Sequence, residues 1–141
     1  MSRLRHVPDG PNRIRGGYAV EFSLVLILLV VLVISTADIS RLLWIKANTL
    51  HLAEEGARWA AVRGSKSATP ATASTVTTYV QSKATGMDAM TVTVSWQQTS
   101  GQDDKSPGKT VAVRVSTPFA WNIMPLSPLT VSSEAKVMIT Y

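Results

Sequence analysis

One carboxylate stands alone in a long apolar stretch near the start of the chain. Glu21 is the single charged residue between Gly17 and Ala37, and eleven consecutive apolar residues follow it from Leu24 to Ile34. An ionisable side chain at membrane depth costs a few kcal/mol or more, and it is by default a functional-site hypothesis. Glu21 is therefore the first candidate functional residue of the chain.

The remaining chemistry-bearing residues do not form a catalytic set. His6 and His51 are too far apart for a zinc site with helical spacing, and the chain has no cysteine. Asp103 and Asp104 precede Lys105 without the spacing of a calcium loop, which favours a solvated loop tip. We therefore expect no metal, no cofactor and no enzymatic activity.

The basic residues are concentrated before the apolar stretch. The chain of 141 residues has a formal net charge of +5 and a pI of about 9.9. Four arginines and one aspartate give residues 1–16 a formal charge of +3. Basic residues beside a hydrophobic segment follow the positive-inside rule, whereas a nucleic-acid protein gathers them on a folded surface. The pattern predicts a cytoplasmic leader at 1–16 and no nucleic-acid partner.

The stretch from Tyr18 to Ala37 has about twenty residues, the length of a helix that crosses a bilayer. Tyr18 and Trp44 bracket it as an aromatic belt would, although Trp44 as an ordinary packing residue is an equal alternative. A secretory signal peptide cut after Ser35-Thr36-Ala37 and an unprocessed single-pass anchor remain rival interpretations. We expect a transmembrane helix at 17–37.

Apolar residues recur at three- and four-residue steps beyond Asp38, which is the amphipathic helical period. The pattern predicts one helix from about Tyr18 to Arg63, with its outer part at 38–63 and Gly64 as the residue that ends it. A stripe of small residues marks this outer part, and such residues let another element approach closely. The stripe includes Gly56, Ala57 and Ala60.

The rest of the chain predicts a short helix followed by strands. Thr69 and Pro70 resemble an N-cap and a first-turn proline, which indicates a helix at 70–85. Alternation with a period of two then predicts half-buried strands near 91–97, 110–116 and 130–141. Prolines at 118, 125 and 128 indicate a loop over 118–128.

These elements predict an α+β fold. A long transmembrane-plus-amphipathic helix would pack on a small antiparallel sheet of about three strands, of which the first two form a hairpin, with a second short helix beside them. The extracytoplasmic domain would span residues 38–141. The apolar loop Phe119–Leu126 would cover the end of the sheet or serve as a contact surface.

Four segments together resemble TadE-like proteins of the tight-adherence (Flp/Tad) pilus system. Gly16 with Glu21 and Phe22 is similar to the processing site of Flp/Tad prepilins, in which glycine precedes a glutamate-aromatic pair. The segments 19–26, 37–42 and 53–62 are similar to the family in the same order, the last through its Glu-Gly-Ala-Arg-aromatic-Ala core.

The resemblance implies a minor pilin or pseudopilin that a prepilin peptidase cleaves between Gly16 and Gly17. The new amine of Gly17 would then lie one helical turn from Glu21 and could pair with it, or with a neighbouring subunit. Lateral packing of the apolar helix would join the chain to other pilins in the inner membrane, in support of adhesion and biofilm formation. The residues expected to pack are Leu24, Leu28 and Val31, with Gly56, Ala57 and Ala60 in the outer part.

Two other classes of protein stay open at this point. One is a membrane-anchored binding domain unrelated to pili, which an uncut leader would favour. The other is a secreted domain that begins at Asp38 after release by signal peptidase. The mature N-terminus distinguishes all three.

Overall fold

The computed structural model describes residues 13–87, 89–122 and 127–140, with side chains from Gly17 onward. The chain divides into two compact units, Met1–Ala37 and Asp38–Tyr141. The predictions for the leader residues 1–12, for the middle of the 118–128 loop and for Tyr141 lie outside the described residues.

The first helix, α1, spans Arg13–Ala61. Its start corrects the prediction of a helix from Tyr18, because the residues around Gly16 are already helical. Within the first unit, the Ser23 hydroxyl donates to the Ala19 carbonyl oxygen at 2.7 Å. Ser35 and Thr36 donate to the carbonyls four residues before them in the same way. Such bonds give each hydroxyl group a hydrogen-bond partner on the backbone of its own helix.

The helix ends two residues earlier than the sequence indicates, at Ala61 rather than Arg63. The backbone N–H of Thr140 donates to the Ala61 carbonyl oxygen at 3.0 Å, and the Thr140 hydroxyl donates to the same oxygen at 3.3 Å. The last carbonyls of a helix need partners outside it. A residue far along the chain therefore supplies the partner at this end, and Gly64 is not the residue that stops α1.

The second helix, α2, spans Ala73–Lys83, and its N-cap is Thr72 rather than the predicted Thr69. The Thr72 hydroxyl accepts from the Thr75 N–H, and the Thr75 hydroxyl accepts from the Thr72 N–H, which makes a reciprocal capping box. The shorter helix has a tertiary cause: the Ala71 N–H donates to the Arg63 carbonyl at 2.7 Å. Ala71 is thereby held outside the helix.

The main sheet has three antiparallel strands in the order β1-β4-β5. They are β1 (Thr91–Trp96), β4 (Thr110–Phe119) and β5 (Leu129–Met138). β1 pairs with β4 in the register Val94 to Val113, and β4 pairs with β5 in the register Val113 to Ala135. The predicted α+β class, the three-stranded sheet and the hairpin of its first two strands are confirmed.

Pro118 lies inside β4, and the prediction that it begins a loop was wrong. Pro118 is opposite Thr130 of β5. On its other side β1 has already ended, because the β1–β4 pairing stops at Thr91 with Ser116. Proline is tolerated where a strand has a free side, since no ladder bond needs its missing N–H. The length of the neighbouring strand therefore decides how far β4 continues.

Two further features differ from the predicted strands. A small hairpin of β2 (Gln98–Thr99) and β3 (Gln102–Asp103) interrupts the predicted loop, with Ser100 and Gly101 at φ 55° and 82°. Positive φ at both central residues is the signature of a tight hairpin turn. β5 ends at Met138, and Ile139 instead pairs its N–H with the Lys109 carbonyl at 2.7 Å.

The core of the second unit lies between the outer part of α1, the helix α2 and the inner face of the sheet. Fully buried valines of β4 face the small residues of α1 and two valines of α2. The principal members are Ala53, Ala57, Ala60, Val76, Val80, Val111, Val113 and Val115. A second cluster of Ile45, Phe119 and Val131 continues the same interface toward the start of the unit.

Candidate functional site

The apolar part of α1 in the first unit has almost no cover from the chain itself. Leu28 is 71% exposed, and Leu24 and Val31 are exposed to a similar degree. By length and composition, the helix Gly17–Ala61 could cross a membrane. Soluble proteins rarely expose a large contiguous apolar surface, so this one needs lipid or other helices around it. The structure leaves the predicted packing residues of the first unit available for such neighbours.

Glu21 and Phe22 lie on this exposed helix, and both are exposed in the single chain. Gly16 and Gly17 precede them within the same helix, and a Cβ added at Gly17 would meet no atom within 4 Å. Four residues separate Gly17 from Glu21, so the two are neighbours on one helical face. The structure thus brings the predicted cleavage residues and the lone carboxylate within one turn of each other.

The small residues of the outer part of α1 pack inside their own domain. A Cβ built on Gly56 would lie 2.6 Å from Val80 Cγ2 of α2 and 3.3 Å from Val113 Cγ1 of β4. Ala57 and Ala60 are fully buried. Gly56 is therefore a point at which helix α2 and the sheet both approach α1 too closely for a larger side chain.

Asp38 begins the second unit, and it is a buried acid that the sequence did not identify as a site. It is 3% exposed, and its Oδ2 atom has no hydrogen-bond partner. Asp38, Leu42, Ile45 and Thr49 follow each other at helical spacing, so Asp38 lies on the stripe of α1 that faces the sheet. Leaving a buried acceptor unpaired costs about 1–3 kcal/mol. The unpaired oxygen makes Asp38 a candidate for contact with a group outside this chain.

Arg41 lies one turn after Asp38 and contacts the end of β4. Its guanidinium Cζ is 5.3 Å from the centroid of the Phe119 ring, and its Nη1 donates to the Ala120 carbonyl at 3.4 Å. Phe119 in turn contacts Trp121 edge to face at 5.1 Å. The aspartate and arginine of the 37–42 segment therefore have different surroundings, one buried and the other exposed beside an aromatic pair.

A polar cluster around Glu55 was also not predicted. The Tyr79 hydroxyl donates to Glu55 Oε1 at 2.8 Å, and this bond raises the pKa of Tyr79. His51 Nε2 lies 3.6 Å from Glu55 Oε2, and Lys83 Nζ lies 4.0 Å from Glu55 Oε1. These groups tie α2 to α1 across their exposed sides. His51 is a surface residue here, and within the described ranges no three acidic, histidine or cysteine side chains gather as a metal site would require.

The loop with Asp103 and Asp104 is held by its own hydrogen bonds. Asp104 accepts from the Ser106 N–H at 3.0 Å and from the Thr99 hydroxyl at 2.8 Å. Hydrogen bonds from Ser106, together with that of Thr99, lower the pKa of Asp104 to about 2. Stabilisation of the charged form by donors is the physical cause. The carboxylate closes the loop, and its oxygens are already used for that purpose.

Fold and site together define a class: an α+β domain that follows one exposed apolar helix fit to cross a membrane. Residues 16–58 match the family model of TadE-like proteins, and this confirms the resemblance over that segment. The match starts at Gly16, contains Glu21 and Asp38, and ends after Gly56. It supports a membrane protein associated with the Tad pilus. No curated protein and no solved structure matches the chain significantly.

Proposed function

We propose that this chain is a minor pilin or pseudopilin of a Tad/Flp-type pilus and has a structural role rather than a catalytic one. The observation that carries the proposal is the TadE-like match over residues 16–58, which contains a lone glutamate at the start of an exposed apolar helix. In this role the protein supports pilus assembly, and through it adhesion and biofilm formation.

Processing would occur between Gly16 and Gly17, by a prepilin peptidase of the membrane. Both residues are helical in the structure, and a protease needs its substrate in an extended form. Two adjacent glycines each weaken a helix by roughly 1 kcal/mol relative to alanine. We therefore infer that the start of α1 unwinds locally before the cut, and that the glycine pair makes this opening inexpensive.

After the cut, Glu21 would lie one turn from the new amine of Gly17. Pairing of the two opposite charges, within one subunit or between neighbours, offsets the cost of bringing either one into lipid. Because the carboxylate and the amine have fixed positions along the helix, their pairing would fix the axial alignment of neighbouring subunits during assembly. The exposed side chains of Leu24, Leu28 and Val31 would supply the lateral contacts with other pilins.

The chain would begin in the cytoplasm, cross the inner membrane once and place its second unit outside. The arginines at 3, 5, 13 and 15 support this orientation through the positive-inside rule. Its partners would be the membrane, the prepilin peptidase and other subunits of the Tad machinery.

The secreted alternative would also require local unwinding of α1 at the cut. A signal peptidase site at Ser35-Thr36-Ala37 would lie within the uninterrupted helix α1, where the hydroxyls of Ser35 and Thr36 bond to carbonyls one turn earlier. A membrane-anchored binding domain unrelated to pili stays the second candidate, since the exposed apolar helix fits it equally well.

Exchange of Glu21 tests the role in assembly. We expect Glu21→Ala and Glu21→Gln to lower incorporation into sheared pili, or into the isolated pilus base, because neither carries the negative charge that pairs with a protonated amine. Glu54→Ala removes an exposed glutamate of the same helix and is the matched control. Equal membrane levels of all three variants, measured by immunoblot, separate assembly from expression. Wild-type incorporation of both Glu21 variants would contradict the proposal.

A further inference from the structure

The first turns of the second unit expose large apolar side chains in water. Leu43 is 63% exposed, Trp44 is 51% exposed, and Ile39 is 48% exposed. In the same stretch Asp38 and Ile45 are buried, so one side of the helix faces the domain and these apolar side chains lie on the sides that the domain does not cover. We name Ile39, Leu43 and Trp44 the apolar collar. Such a surface marks contact with a partner or with lipid.

The exposed charges that accompany the apolar collar are both positive. Arg41 and Lys46 are exposed, whereas Asp38, the one acid between residues 38 and 50, is buried. Lys46 donates to the Ser132 carbonyl at 2.5 Å, and Arg41 Nη1 donates to the Ala120 carbonyl at 3.4 Å. An arginine side chain has five donors, and its fork suits phosphate oxygens. The exposed surface is therefore apolar and basic together.

Trp121 adds a second chain segment to the same surface. It packs edge to face on Phe119 at 5.1 Å, and the Phe119 ring lies beneath the guanidinium of Arg41. Trp121 is half-buried, so part of its ring reaches solvent. Tryptophan and arginine side chains at the edge of a membrane protein are typical of the headgroup layer, which receives an amphipathic ring and a cation equally well.

We propose that the apolar collar, with Arg41, Lys46 and Trp121, lies in the headgroup layer of an anionic lipid bilayer. This inference rests on the proposed membrane anchor. Arg41, Trp44 and Lys46 follow Ala37 by four, seven and nine residues, which is about 6, 10 and 14 Å of helix. The headgroup layer is about 5–7 Å deep on each side of the hydrocarbon, and long side chains extend the reach.

Anionic lipid is favoured over a second copy of the chain by the charges. Two copies that met through this surface would bring Arg41 and Lys46 against their own equivalents, and like charges repel. Negative headgroups attract each basic residue near the surface by about fivefold in partition. The exposed residues of this surface also lie on several sides of α1. That distribution fits a lipid layer that surrounds the helix better than it fits one flat face of a protein partner.

The absence of cysteine makes the test direct, because single cysteines can be introduced for spin labels. Full-length chains with Leu43→Cys, Ile27→Cys or Val62→Cys would be labelled in vesicles of phosphatidylcholine with or without phosphatidylglycerol. Ile27 reports on the anchor, and Val62 is the control, an exposed apolar residue that directly follows the last residue of α1. Accessibility of each label to oxygen and to a water-soluble nickel chelate gives its depth.

We expect the label at position 27 to lie deep in the bilayer. The label at position 43 should be shallow but exposed to lipid, and the label at position 62 should be in water. In anionic vesicles, Arg41→Gln and Lys46→Gln should each lower the ratio of lipid-exposed to aqueous label at position 43 by about fivefold. An aqueous label at 43 with a deep label at 27 overturns the headgroup contact and leaves the anchor standing. An aqueous label at 27 overturns the anchor itself, and indifference to lipid charge overturns the role of the two basic residues.

Discussion

The close approach at Gly56 allows a quantitative test of how the domain packs. Replacement by alanine puts a Cβ at 2.6 Å from Val80 Cγ2 and at 3.3 Å from Val113 Cγ1. Both valines are fully buried, and a β-branched side chain has little rotamer freedom with which to move away. Insertion of one methyl group into a well-packed core costs about 1–3 kcal/mol.

The clash works against a gain in helix propensity. A contact of 2.6 Å to a buried side chain puts the clash in the upper half of that range, about 2–3 kcal/mol. Alanine is better than glycine in a helix by roughly 1 kcal/mol, so the expected net loss for Gly56→Ala is roughly 1–2 kcal/mol. Val80→Ala removes the methyl group that causes the nearest contact. In that background Gly56→Ala should be neutral or stabilising by up to about 1 kcal/mol. The coupling between the two sites is then about 1–3 kcal/mol, within the range for residues in contact.

The four chains of this cycle can be compared by reversible urea unfolding in detergent, followed by tryptophan fluorescence. Gly17→Ala is the matched control, because Gly17 is also helical and has open space around it. It should leave the unfolding of the domain unchanged. If Gly56→Ala is as stable as the wild type and additive with Val80→Ala, the packing of α1 against α2 is not as described.

Three further predictions concern polar groups of the domain. Asp104 has a pKa near 2, below its unfolded value, so its stabilising effect is present above about pH 4 and fades toward pH 2. The difference in free energy of unfolding between wild type and Asp104→Asn, measured by urea unfolding at each pH, should therefore shrink as the pH is lowered from about 4 to 2. Thr49 and Ser133 share a buried hydroxyl contact of 3.0 Å, so Thr49→Val should cost about 1–3 kcal/mol, while the double variant with Ser133→Ala falls closer to wild type than the sum of the single changes; an additive result refutes the contact. Asp38→Leu removes an unpaired buried oxygen and should raise the free energy of unfolding by about 1–3 kcal/mol, and a loss of stability would show that the carboxylate has a partner.

The sequence predicted the structure correctly where a repeating pattern of apolar residues corresponds to one buried face of a helix or strand. Val111, Val113 and Val115 alternate with polar residues, and all three are fully buried on the inner face of β4. Gly56 within a helical pattern indicated close packing, because glycine there is otherwise costly. These local signals predicted the α+β class and the three-stranded sheet.

Other features depended on residues distant in the chain. The position of the α2 N-cap follows from the bond between Ala71 and Arg63, and the end of α1 follows from Thr140. Pro118 remains in β4 because β1 is short. Burial of Asp38 likewise comes from tertiary packing, and no local pattern distinguishes it from a solvated acid at the end of a membrane helix.

The mature N-terminus tests the central claim most directly. Intact-mass and N-terminal peptide analysis of the protein from cell membranes, with and without the prepilin peptidase of the host, reads the cleavage position. The account predicts a chain that starts at Gly17 when the peptidase is present and keeps its leader when the peptidase is absent. A start at Asp38, or a leader that remains uncut in both strains, would contradict it.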